Sequence, residues 1–288
     1  MNYIIFDLEW NNAYNYKVGK GFNEIIEIGA VKLNDSLELV DSFKQIIKPA
    51  VSKKLTSHFK NLTHITMEEI KLSGIPFLEA FSDFSRWCGD KDTVFLSWSR
   101  SDLYTLVDNF IKFKNTAVVD FMKKYADAQS YCMQFVDHDG GNQISLTNCA
   151  EKFGIDIDTS SLHRALEDCY VTAYCLKKVF DKDKFSAFVN ECDTAFFERL
   201  VFKDYFLNFS HKDRFDINSV EIRCPNCSGE VTPLQEYEYN NNAFKTAGKC
   251  TKCNKKFWVF IRAKQTYDDI IVTKHFAPIN KRRASRIN

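Results

Sequence analysis

Four acidic residues and one histidine stand where an ordinary core would not ask for them. Tyr3, Ile4, Ile5 and Phe6 are aromatic or β-branched and read as a buried strand, yet the run continues into Asp7, Leu8, Glu9 and Trp10. Side chains alternate along a strand, so Asp7 and Glu9 project from one face. Two like charges there resist burial unless something positive sits between them. A third acid, Asp102, follows the apolar segment TVFLSW (93–98), in the first turn of the next helix. A fourth, Asp168, comes five residues after His163 in LHRALEDCYVTAYCL. Inside one helix, five residues turn through about 500°, which points two side chains well apart. They converge when His163 lies on the loop before the helix and Asp168 on its first or second turn.

Singly, each residue has a plainer explanation. Asp102 suits a helix start, Asp168 a solvated helix face, His163 a surface or satisfied core position, and D-x-E a polar sheet edge. Taken together they offer four carboxylates, one histidine and no cysteine. Hard oxygen ligands of this kind select Mg²⁺ or Mn²⁺ rather than zinc. Two such ions about 4 Å apart clamp the attacking and leaving oxygens of phosphoryl transfer.

A second constellation lies near the C-terminus. Cys224 and Cys227 in CPNC are followed, after 22 residues, by Cys250 and Cys253 in CTKC. Two C-x₂-C turns at this separation match a four-thiolate zinc site, structural because no ligand position stays open. The alternative, a redox dithiol, does not explain two matched turns. The span between them alternates like a hairpin around Asn240–Asn242, and KKFWVFIRA adds another strand: a zinc ribbon, too small to fold without its metal. Lys245, Lys252 and Lys256 interleave with aromatics such as Trp258, a pattern that suits phosphate contact and base stacking. Such a ribbon serves equally to dock a protein partner, or its aromatics form only a small core beneath solvated lysines.

The elements that must position these residues are legible in outline. Strands are expected over 3–10, 25–33 and 38–47, as an antiparallel meander whose first link, NNAYNYKVGKGFN, reads as a loop. Helices follow over 66–72 and 76–88, a strand over 93–98, and a helix from Ser101, its expected N-cap, to Phe113. A strand over 117–121, a helix over 146–154 closed by Gly154, and a helix over 164–180 complete an α/β domain with a mixed sheet. Residues 183–218 read as a helical linker or brace, 219–275 as the ribbon, and 276–288 as a basic flexible tail.

FDLEW, SDLYTL after a strand, and HRALED, in that order, resemble the three exonuclease motifs of the DEDDh family of 3′–5′ exonucleases. The resemblance covers residues 1–182 and includes FNEIIEIGAVKL, LTHIT and ISLTNCAEKFGI between the motifs. W-x-x-x-D in the middle motif is similar to the RNA-trimming and KapD-type branch. Arg100 and Ser101 stand where proofreading-like relatives carry His-Asn, a departure that bears on substrate contacts rather than metal binding. The resemblance implies a ribonuclease H-like fold, with a mixed sheet flanked by helices. It implies that Asp7 bridges two Mg²⁺ or Mn²⁺ ions, that Glu9 and Asp168 complete the first site, and that Asp102 supports the second. His163 would be the general base on the attacking water. The implied reaction is removal of nucleoside 5′-monophosphates from the 3′ end of RNA or DNA, with Trp10 a further candidate contact to nucleic acid.

The 288 residues, 45% apolar and 27% charged, suit one sizeable core plus a smaller module. No apolar run approaches the roughly 18 residues of a membrane span, and the N-terminus lacks the basic region of a signal peptide. Ten cysteines in such a chain argue for a cytoplasmic protein without a disulfide framework. A net charge of +1 hides an asymmetry: 16 basic against 9 acidic residues over 201–288, hence 23 against 29 over 1–200. The basic end is the candidate for meeting an anionic partner. Two other readings remain open at this stage: an inactive nucleic-acid-binding or adaptor protein on an exonuclease fold, and a scavenger of short oligonucleotides.

Overall fold

A computed structural model describes residues 2–15, 20–89, 92–137, 143–157 and 163–279. They belong to two compact units, Met1–Val201 and Phe202–Asn288.

The first unit is built on six strands: β1 (Asn2–Asn15), β2 (Lys20–Leu33), β3 (Leu39–Ile46), β4 (Thr93–Ser97), β5 (Lys124–Asp127) and β6 (Asn190–Glu191). Its helices are α1 (Ser57–Thr63), α2 (Met67–Ser73), α3 (Phe77–Cys88), α4 (Ser101–Lys114), α5 (Ala128–Cys132), α6 (Leu146–Lys152), α7 (Ala165–Val179), α8 (Lys182–Ser186) and α9 (Thr194–Val201). The sheet order is β3-β2-β1-β4-β5-β6. The expected meander forms its first half, and β1 then pairs parallel with β4. This is the mixed sheet flanked by helices that the sequence pattern indicates.

Strand alternation in β1 divides the core in two. Ile4, Phe6 and Leu8 pack on Phe77, Phe81 and Phe84 of α3 and on Leu103, Leu106 and Phe110 of α4. Tyr3 and Ile5 pack on the opposite side with Tyr131, Cys149, Cys169, Cys175 and Leu176. Each fully buried side chain of this size contributes about 1.5–3 kcal/mol, which is where the chain's abundant Phe goes. The six scattered cysteines, Cys88, Cys132, Cys149, Cys169, Cys175 and Cys192, are buried free thiols. They act as small apolar residues.

Several local expectations are corrected. The link read as a loop after Trp10 is largely strand, since pairing runs on from Trp10↔Ile25 to Asn15↔Lys20 beyond a bulge at Glu9/Trp10. Its Asn-rich composition disguised the strand. The strand expected over 117–121 lies at 124–127 instead. Val119 and Met122 are buried through a turn in which Met122 N–H donates to Val119 O. Helix α4 begins at Ser101, but that residue does not cap it. Ser101 N–H donates to Ser99 Oγ, and Ser99 takes up a left-handed φ of 90°. Helices α1 and α5 were not anticipated: α5 has only five residues, and α1 buries only Phe59 and Thr63, too few to show an apolar period.

The second unit contains β7 (Tyr205–Phe206), β8 (Val231–Pro233), β9 (Glu238–Asn240), β10 (Ala243–Cys250), β11 (Lys256–Gln265) and β12 (Ile270–Pro278). They form one sheet ordered β12-β11-β10-β8, with β9 also pairing β10 and β7 pairing β11. Asn241 and Asn242, both at positive φ, make the tight hairpin turn between β9 and β10. One sheet face buries Phe244, Val259 and Ile261 with Ile217, Ile222 and Val231.

Residues 183–218, read as a brace, are shared between the units. α8, β6 and α9 belong to the first, and Phe197 of α9 enters its core. Tyr205 and Phe206 belong to the second, paired with Gln265 and Lys264. The first three residues of the expected tail, 276–278, continue β12, and 280–288 lie outside the described residues. Among the described residues, no helix is long and apolar enough to cross a membrane.

Candidate active site

The odd-numbered face of β1 that buries Tyr3 and Ile5 carries Asp7 and Glu9 next, where the apolar cover ends. Helix α7 packs over this same face. Asp7 pairs across the ladder with Gly29 of β2, and a Cβ on Gly29 would lie 2.2 Å from Leu166 N and 2.3 Å from Ala165 C. Only a glycine lets the start of α7 come so near the sheet. Asp168, in the first turn of α7, is thereby brought to the two strand carboxylates: oxygens of Asp7, Glu9 and Asp168 lie within 4.8 Å of one another.

Asp102 arrives from the other neighbouring strand. It is buried in the first turn of α4, and its Oδ1 accepts a 3.1 Å hydrogen bond from Leu8 N–H, between the two strand acids. His163 lies on the segment just before α7, exposed, with φ 68°. That is the loop-then-first-turn arrangement expected of His163 and Asp168. All five residues line one open cleft of about 450 Å³, together with Trp10, Phe59, Leu62, Trp98 and Leu146.

The carboxylates share a difficulty. Desolvation, then the charges of Asp102, Glu9 and Asp168, hold the Asp7 carboxyl well above the usual carboxylate range. Desolvation, Asp168 and Glu27 push Glu9 up to about 9. Desolvation lifts Asp102 to about 7 against the Leu8 N–H bond, and Asp168 to about 6 against the His163 N–H and imidazole. Asp168 Oδ1 is also buried without a hydrogen-bond partner among the described residues. An orphaned carboxylate oxygen among acids that cannot all ionise fits a cation held by hard oxygen ligands.

Three supporting groups escaped the sequence reading. Glu27, fully buried on β2 directly opposite Glu9, receives Arg164 Nη2 at 2.7 Å, Arg164 Nε at 3.1 Å and Ala165 N–H at 3.2 Å. Arg164 also binds Glu69 of α2 at 2.8 Å. A fixed positive group is thus tied to the fold rather than to the cleft. Glu24 accepts the N–H groups of Ala50, Val51 and Ser52 at 2.6–2.7 Å. Asn11 accepts from Thr56 N–H at 2.8 Å, which fixes the N-cap of α1 and so the Phe59 and Leu62 wall. A buried acid inside an apolar strand was the available signal for Glu27. Asn11 sat in what read as a loop, and Glu24 just past its end, at the entry to the next expected strand.

In the second unit Cys224 Sγ lies 3.7 Å from Cys253 Sγ, and Cys227 Sγ 3.5 Å from Cys250 Sγ. All four sulfurs fall within 4.8 Å. Thiolates about 2.3 Å from a tetrahedral zinc stand about 3.8 Å apart, so the quartet fits one zinc ion. The two turns are built alike: Ser228 N–H donates to Cys224 O and Asn254 N–H to Cys250 O, with Ser228 and Asn254 at φ 55° and 58°. Backbone N–H donors from Cys253 and Lys252 push the Cys250 thiol down to about 6, toward the thiolate a metal needs. Of the candidate nucleic-acid contacts, Trp10 lines the cleft, Lys245 Nζ stands 4.1 Å over the Trp258 ring, and Lys252 and Lys256 are exposed.

Comparisons with known proteins agree with this geometry. The exonuclease family model RNase_T matches residues 4–176, short of the cysteine quartet. The probable 3′-5′ exonuclease KapD of Bacillus subtilis (strain 168) is 29% identical over 183 residues, covering 63% of this chain and 85% of that protein. The 3′-5′ exonuclease crn-4 of Caenorhabditis elegans is 22% identical over 169 residues, covering 55% of this chain and 56% of that protein, so this chain spans little more than half of its length. Among solved structures, the nuclease domain of 3′hExo, a DEDDh family member bound to rAMP, superposes with a TM-score of 0.55 at 23% identity. The match covers 67% of this chain and 97% of that one.

Proposed function

We propose that this chain, which belongs to the exonuclease family, removes nucleoside 5′-monophosphates from the 3′ end of RNA or DNA in the cytoplasm. The observation that carries the reading is the convergence of Asp7, Glu9 and Asp168 within 4.8 Å, with Asp102 bonded between the first two. The relatives named for 3′-5′ exonuclease activity support it.

Asp7, Glu9 and Asp168 would hold one Mg²⁺ or Mn²⁺, and Asp102 with Asp7 a second. Bound there, the ions supply charge stabilisation to the attacked phosphate and the leaving 3′-oxygen. The chain's own groups do the rest. His163, exposed at the cleft wall beside Asp168, accepts a proton from the attacking water, a task suited to imidazole near neutral pH. Trp10, Phe59, Leu62 and Leu146 give the terminal nucleotide an apolar wall, and Leu8 N–H fixes the Asp102 carboxylate in place. Cys224, Cys227, Cys250 and Cys253 would hold a structural zinc ion. Of the second unit's candidates, Lys245, Lys256 and Trp258 would add substrate contacts.

The test is digestion of end-labelled single-stranded RNA and DNA in Mg²⁺ or Mn²⁺, with Asp7→Asn and His163→Ala in parallel. Stepwise shortening from the 3′ end by the wild type alone is expected. An intact wild-type substrate under both metals returns the chain to the inactive-adaptor reading, and activity confined to very short oligomers to the scavenger reading.

A further inference from the structure

Among the described residues, one face of the second unit's sheet carries no hydrophobic cluster, although the small Ala247 on it is buried. On β10 and β11 the residues Phe244, Phe257, Val259 and Ile261 point into the buried side. Alternation therefore places Lys245, Ala247 and Lys249 of β10, and Lys256, Trp258, Phe260 and Arg262 of β11, on the other. The ladder brings them together: Lys245 faces Phe260, Ala247 faces Trp258, and Lys249 faces Lys256. On the far side of β11, His275 faces Phe260 and Thr273 faces Arg262. Trp258 and Phe260 are half-exposed and join none of the hydrophobic clusters of the described residues. A shallow hollow of about 560 Å³ opens beside them, lined by Phe260, Arg262, Thr273, Lys274, His275 and Ala277. Lys249, Lys256 and Arg262 make no ion pair among the described residues.

We infer that this open face is a stacking platform for single-stranded nucleic acid, with bases on Trp258 and Phe260 and phosphates at Lys245, Lys249, Lys256 and Arg262. Two aromatic rings at i and i+2 stand about 6.6 Å apart along a strand, which lets two neighbouring bases, splayed from one another, each take one ring. Sheet faces that expose aromatics between cations bind single strands in this way, because every base has a π-face and stacking needs no particular sequence. Lys245, already seated on the Trp258 ring, exchanges that cation–π contact for a phosphate when a base arrives. The surface carries little competing acid: Glu238 faces Lys245, and Asp204 is bound to Lys264 at 2.7 Å. The assignment differs from the sequence reading in its residues. Lys252 belongs to the cysteine turn, whereas Phe260 and His275, which the sequence pattern did not single out, belong to the platform.

The inference rests on the reading of this chain as a nuclease of single-stranded ends, but its test needs no hydrolysis. Binding of fluorescent single-stranded oligonucleotides to the full zinc-loaded chain is measured without Mg²⁺ or Mn²⁺, as a function of salt. Trp258→Ala with Phe260→Ala is expected to weaken binding at least tenfold with little change in salt slope. Lys249→Gln, at a half-buried position, and Lys256→Gln, at an exposed one, replace side chains outside the hydrophobic cluster and should each lower the salt slope by about one. Trp258→Phe should restore most of the affinity. Wild-type binding that neither pair of variants alters, or a slope set by Lys252 instead, overturns the platform. Failure of the exonuclease reading appears separately, as an undigested substrate when metal is added.

Discussion

Asp7 and Gly29 face one another across the β1–β2 ladder, and the missing side chain of Gly29 is what admits α7. The acidic face of β1 and the helix that carries Asp168 are therefore held at one separation by a single glycine. Gly29→Ala must drive apart backbone that a Cβ would meet at 2.2–2.6 Å. Overpacking of this kind costs about 1–3 kcal/mol, and the displacement falls directly on Asp168. Thermal melting should show that loss, and exonuclease activity should fall by far more than the melting shift explains. Gly21→Ala is the control, because its Cβ would meet only Asn12 at 3.7 Å. Equal activity in the two variants would refute the close-approach argument.

Glu27 is buried beside Glu9 and bound by Arg164 from the H-x-A segment itself. Removing one partner of a buried pair leaves an uncompensated charge, at a cost of about 3–5 kcal/mol. Lys44 Nζ stays 3.5 Å from Glu27 and Arg164 is itself partly exposed, so Arg164→Ala should destabilise the first unit by less than that, and Glu27→Gln with Arg164→Met should recover much of the loss. A double-mutant cycle on chemical denaturation measures the coupling. A value near zero would mean that Arg164 instead serves the substrate.

The cluster of acids and histidine in the cleft was legible because its spacing is local to each element. D-x-E on a strand, an acid in a first turn and a histidine one loop before a helix all follow from period-two and period-3.6 geometry, and each is where that geometry puts it. The cysteine quartet was legible for the same reason. What the pattern hid is long-range. Gly29 and Glu27 matter only because α7, some 140 positions later, packs on them. The extended β1–β2 arms escaped because Asn-rich strands lack the composition that marks strands. Trp258 stood out among the lysines, but Phe260 looks like core until pairing with β10 and β12 settles which side it occupies.

Metal dependence should be visible in stability against pH. Glu9 is pushed up to about 9 and Asp102 to about 7, and Asp7 is raised further by desolvation and its neighbours. Their folded pKa values exceed the unfolded ones near 4, so between those limits the folded state holds more protons. Stability without divalent ions therefore falls as pH rises from about 5 to 9. Mg²⁺ or Mn²⁺ neutralises the acids and should flatten that slope. The measurement is a set of melting curves across pH on protein dialysed free of both ions without chelator, so that the cysteine site keeps its own. A metal-free protein equally stable at both ends of the range contradicts the assignment.

Zinc removal should act on the other unit. The cluster around the quartet joins Ile217, Ile222, Val231 and Phe244 to Cys224 and Cys250 themselves, so a zinc ion held there would be continuous with the only core this sheet face has among the described residues. A module whose hydrophobic core is this small takes much of its folding free energy from its metal. Cys250→Ser removes a thiolate that backbone N–H groups already favour and leaves a weaker ligand in its place. Full-length protein should then show a separate low-temperature transition, carrying the Trp258 fluorescence change, and about one zinc fewer per chain by atomic absorption. The transition of the first unit, which includes Trp10, Trp87 and Trp98, should stay where it was. If both transitions move together, zinc stabilises the whole chain rather than the ribbon, and the two units do not melt as separate bodies.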